Sequence, residues 1–136
     1  MTGFHALKKG IALAALCAGV AAFPLAANAS DASTEIATAA HHAGFAAKSD
    51  TIDMVHAHMH HALNCLVGPN GNGFDSTALN PCKNQGSGAI ADSTDAAQKK
   101  SLEGVADTLR GGLEDNTLAT AQKTAGDAET ELNKLK

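Results

Sequence analysis

The chain has 136 residues, with 14 acidic against 10 basic side chains, no Trp or Tyr and only four Phe. An acidic balance argues against nucleic acid as a partner, because phosphate recognition calls for a basic face. So few aromatic residues also exclude a core built on large rings, leaving Ala and Leu to supply it.

The first thirty residues read as an export segment. Lys8 and Lys9 precede an apolar stretch from Ile11 to Leu25 that Pro24 interrupts, and Ala27-Asn28-Ala29 places small residues where a signal peptidase reads. This predicts a cleavable secretory signal over 1–29 and a periplasmic location. The apolar stretch is too short to span a bilayer comfortably, and no later segment is apolar enough, so no membrane span is expected in the mature chain. The bulky Leu16 before Cys17 speaks against lipid attachment at that cysteine. Removal of Lys8 and Lys9 leaves 8 basic against 14 acidic residues, a formal charge of −6 that suits a protein meeting cations.

The remainder, 30–136, is one domain's worth of chain. A first helix is expected from about Ser33 to Ala47, capped by Ser33 or Asp31, with Glu35 in the first turn where the helix dipole favours an anion. After Lys48-Ser49, Asp50 is placed to cap a second helix, with Asp53 in a capping-box position. Its apolar stripe is Ile52, Val55, Met59, Ala62 and Leu66, spaced by three and four. So short a connection folds the two helices into an antiparallel hairpin over 30–66.

From Val67 to Asp92 the chain turns to Gly, Asn and Pro, and no periodic pattern survives. Phe74 is the one aromatic residue here, an apolar anchor expected to tuck against the helices. A third helix is expected from Asp92 or Ser93, carrying Gln98, Leu102, Val105 and Leu109 and stopping at Gly111-Gly112. A fourth follows Asp115 with a regular seam of Leu118, Ala121, Ala125, Ala128, Leu132 and Leu135. The fold class is therefore all-α: two antiparallel helical hairpins, 30–66 and 93–136, joined by the 67–92 loop. The simplest arrangement is a four-helix bundle; the alternative is an open pair of hairpins completed by a homodimer.

Cys65 ends the second helix and Cys82 lies in mid-loop. In an oxidising compartment this pair predicts a disulfide that ties the loop down, contributing about 3 kcal/mol by the chain-entropy estimate.

All the histidines beyond the export segment, His41, His42, His56, His58, His60 and His61, fall within 21 residues. Imidazole is the commonest side-chain metal ligand, and such a concentration points to transition-metal binding. At 100° per residue, His56 and His60 lie on one flank of the apolar stripe and His58 and His61 on the other. Met54 and Cys65 project near the second flank. Counting back from the turn near Ser49 sets His42 level with His56, with His41 close by. The favoured site is thus His42, His56 and His60, with His41 as a further arm, holding Cu(II) by the Irving–Williams order, or Zn(II) or Ni(II). Protonation competes with the ion, so binding should weaken below about pH 6.5.

Enzymatic signatures are missing from the sequence: no paired Glu-x-x-His, no His-Glu-x-x-His and no Gly-x-Ser-x-Gly. No catalysis is expected. Nor is there a Cys-x-x-Cys-His for covalent haem, although haem b between His and Met or His is a minor alternative. The Asn/Gly-rich loop lacks the Asp-x-[Asp/Asn]-x-[Asp/Asn]-Gly order of a calcium loop. The rival to metal binding is a helical adaptor whose histidine face and loop contact another protein.

Overall fold

Long helices whose facing positions are Ala and Gly can pack with their backbones close, and the chain folds on that principle. The computed structural model describes residues 1, 3 and 32–136, which form five helices and no strand. Apart from Met1 and Gly3, the expected signal segment 1–29 lies outside the described residues, and Cys17 with it. Helices α1 (Ala32–Ala47) and α2 (Ile52–Val67) form one pair, and α4 (Ala96–Gly112) and α5 (Leu118–Leu135) another, with a single turn, α3 (Ala89–Asp92), before the second pair. Helix α1 packs on α2 and α5, and α4 packs on α5 and α2. Among the described residues no helix is long and apolar enough to cross a membrane.

Most of each stripe read from spacing is buried, whereas Ile52, Leu118 and Leu135 are only partly so. Val55, Met59, Ala62 and Leu66 of α2, Leu102, Val105 and Leu109 of α4, and Ala121, Ala125, Ala128 and Leu132 of α5 all lie in one core. Helix α1 adds Ile36, Ala39, Ala40, Ala43 and Ala46. At Gly44 the approach of α5 is so close that a Cβ would stand 2.5 Å from the Glu129 carboxylate. Phe74 packs against this core, half-buried, as its sequence surroundings imply.

The helix starts differ from the expected ones by a few residues. Thr51, not Asp50, caps α2 by accepting from the Met54 N–H, Asp95 caps α4 by accepting from Gln98, and Thr117 caps α5 by accepting from Thr120. The sequence offers several good capping residues near each start, and tertiary contacts claim some of them. Asp92 accepts from the Ser87 N–H, and Asp115 accepts from the Thr124 hydroxyl. The stretch expected as loop up to Asp92 ends in α3, so a helical turn stands where composition indicated none.

Cys65 and Cys82 are joined in a disulfide, both sulfurs in the core. Around it the loop wraps the outer side of α2. Asn64 points away from the apolar stripe yet is fully buried, because its amide holds the loop: it donates to the Asp75 and Leu79 carbonyls and accepts from the Asp75 N–H at 2.9 Å. Gly68, in the left-handed region at φ 65°, closes α2, and a Cβ there would lie 1.7 Å from the Ser87 carbonyl oxygen.

One acid is inside. Glu35, expected only as a dipole partner in the first turn, has no exposed surface and accepts from the Gly88 N–H at 2.9 Å, tying α1 to the returning loop. Burial, with a smaller push from Asp92, raises its carboxyl from 4.5 to about 7, against the pull of the Gly88 N–H.

Candidate metal centre

Which histidines meet follows from which flank of α2 faces α1. The stripe of α2 fixes two flanks, with His58 and His61 on one and His56 and His60 on the other. Helix α1 lies along the first. His42, one turn before the end region of α1, therefore reaches His58 rather than His56. The Nδ1 atoms of His42 and His58 are 3.4 Å apart. The His61 ring stands edge-on to both, with centroids 5.2 Å from His42 and 5.4 Å from His58. One ring nitrogen from each of His42, His58 and His61 lies within 4.8 Å of the others, so the three could hold a metal ion.

Distance decides how much must move to bind one. Nitrogens bound at about 2.0–2.1 Å to a tetrahedral ion stand roughly 3.4 Å apart. The His42–His58 pair already has that separation. The remaining spacings, within 4.8 Å, exceed that by at most about 1.4 Å, a gap that side-chain rotation on fixed helices can close. One buried nitrogen of the trio, His61 Nδ1, has no hydrogen-bond partner. A buried polar group left so costs about 1–3 kcal/mol, which a bound partner removes.

The electrostatics favour neutral rings at His42 and His61. Burial, and then the neighbouring His61, His58 and His41, lower the His42 pKa from 6.5 to about 4. Burial, followed by His58 and His60, lowers that of His61. Both rings thus resist protonation more than free imidazole, whose titration near 6.5 set the expected loss of binding. Phe45, on the turn after His42, frames the group: its ring lies 4.4 Å from His41, 5.8 Å edge-on from His42 and 5.4 Å from His58, and it remains 43% exposed.

The other sequence candidates stand apart from this trio. His41 is exposed and packs on Phe45. His60 Nδ1 sits 3.5 Å from an Asp75 carboxylate oxygen without the alignment of a hydrogen bond. His56 is half-buried on the same flank as His60, its Nε2 unpartnered. The favoured set of His42, His56 and His60 is therefore not what the fold brings together; His42 gathers the opposite flank. Cys65 offers no thiolate, its sulfur being in the disulfide. Sequence reasoning missed Phe45 and Asp75. Phe45 was signalled by its three-residue spacing from His42, whereas nothing local pointed to Asp75, which reaches His60 from the loop.

No protein-family model matches this sequence, and no curated protein or solved structure matches it either.

Proposed function

We propose that the chain is an exported, non-catalytic protein that binds one transition-metal ion through His42, His58 and His61 and sequesters it or passes it on. The observation that carries the reading is the gathering of three imidazoles from two helices, with one ring nitrogen of each within 4.8 Å of the others. A set of nitrogen donors with no carboxylate or thiolate among them fits Cu(II) first by the Irving–Williams order, then Zn(II) or Ni(II). The export pattern of residues 1–29 supports a periplasmic location. For the scaffold we infer an up-down four-helix bundle, supported by the way each long helix packs on two long neighbours.

Calorimetric titration of the purified protein with copper, zinc and nickel tests the function. A single-site isotherm that disappears in a His58→Ala, His61→Ala double variant and survives in His56→Ala, His60→Ala is the expected result. Indifference to all three ions overturns the reading and leaves the histidine face as a surface for another protein.

A further inference from the structure

A tetrahedral ion takes four donors, and this site has three. Among the described residues no fourth His, Cys, Asp or Glu joins His42, His58 and His61 within reach of a shared ion. His41, His60, Cys65 and Asp75, which could otherwise supply one, are engaged elsewhere. The ring of His41 diverges from that of His42 by 100° around α1 and packs on Phe45 at 4.4 Å. His60 is drawn to Asp75 on the other flank of α2. Cys65 is bonded to Cys82, and Asp75 accepts from both the Thr77 N–H and the Thr77 hydroxyl.

The trio is also reachable from outside. His42, His58 and His61 are each only half-buried, and the rim is formed by the exposed Phe45. Sites that close all four positions with side chains hold metal structurally, whereas three protein ligands leave a position for an exchangeable donor.

Resting on the metal-binding reading above, we propose that the ion held by His42, His58 and His61 keeps one coordination position open to a small external donor. The class is a monodentate group such as water, a small inorganic anion or a single imidazole. Such a position gives the ion a route out: an incoming donor bonds to it before any of the three imidazoles lets go. It also makes the site one that lends an ion rather than locks it away.

Cobalt(II) serves as the probe, because its visible absorption reports coordination number and ligand identity. The purified protein is loaded with one equivalent of cobalt, the spectrum recorded, and azide then added. Appearance of the cobalt bands at one to one checks the metal-binding reading before any azide is present, and their absence overturns both. With cobalt bound, the expected result is a shift of the bands that saturates at one azide per cobalt and is unchanged in His41→Ala. A spectrum that azide does not move while cobalt stays bound shows the fourth position filled by the protein and overturns the inference alone. An azide response seen only in His41→Ala overturns it too, and names His41 as the fourth ligand.

Discussion

Replacing Glu35 with Gln should make the protein more stable at alkaline pH and flatten its dependence on pH. The carboxyl is fully buried, and its pKa rises from 4.5 to about 7, chiefly through desolvation. A carboxyl whose folded pKa exceeds its unfolded value binds its proton more tightly in the native state. Its stabilising share is complete below about pH 4.5 and is lost as pH climbs through about 7. At about 1.4 kcal/mol per pH unit, the span between those values sets a ceiling on the order of 3 kcal/mol. Gln at this position has the same shape, keeps an oxygen to accept from the Gly88 N–H, and carries no charge at any pH. Denaturant unfolding of both proteins, with the disulfide intact and a chelator present, gives the difference at each pH. All other groups are the same in both proteins, so their contributions cancel. The variant should match the parent at pH 5 and exceed it by about 1–3 kcal/mol at pH 8.5. A difference that stays constant across that range refutes the argument that Glu35 is held protonated by burial.

Other consequences follow from the same packing. Asn64→Ala removes three hydrogen bonds and strands loop backbone groups of Asp75 and Leu79, so unfolding free energy should drop by about 2–3 kcal/mol in urea melts. Gly68→Ala must place a Cβ 1.7 Å from the Ser87 carbonyl oxygen at a φ that non-glycine residues avoid. Its cost should exceed the roughly 1 kcal/mol of the backbone conformation alone, read as a lowered thermal midpoint. Replacing Cys65 and Cys82 together by Ser opens a loop with a sequence separation of 17 and should cost about 3 kcal/mol by denaturant midpoint. The proposed metal site uses no sulfur, so zinc affinity of the still-folded variant should be unchanged.

Much of this architecture is legible in the sequence because it rests on local periodicity. The α5 seam from Ala121 to Leu132 and the α2 stripe from Val55 to Leu66 are buried as their spacing demands. The Cys65–Cys82 bond follows from an even pair and the loop it closes. What spacing leaves open is the hand of the neighbour. The stripe of α2 defines two histidine flanks that are equivalent on a helical wheel. Only the packing of α1 against one of them selects His58 and His61 over His56 and His60. The burial of Asn64 and Glu35 is not legible in the sequence for a related reason. On their own helices both read as ordinary polar positions, and they are buried by the 67–92 loop, whose path no periodic pattern encodes.

The central claim is that three imidazoles from α1 and α2 share one ion. Crystals grown with one equivalent of zinc, with diffraction recorded on either side of the zinc absorption edge, locate that ion directly. The anomalous peak is expected about 2 Å from a ring nitrogen of each of His42, His58 and His61. A peak between His56, His60 and Asp75, or no ordered zinc at all, contradicts the claim.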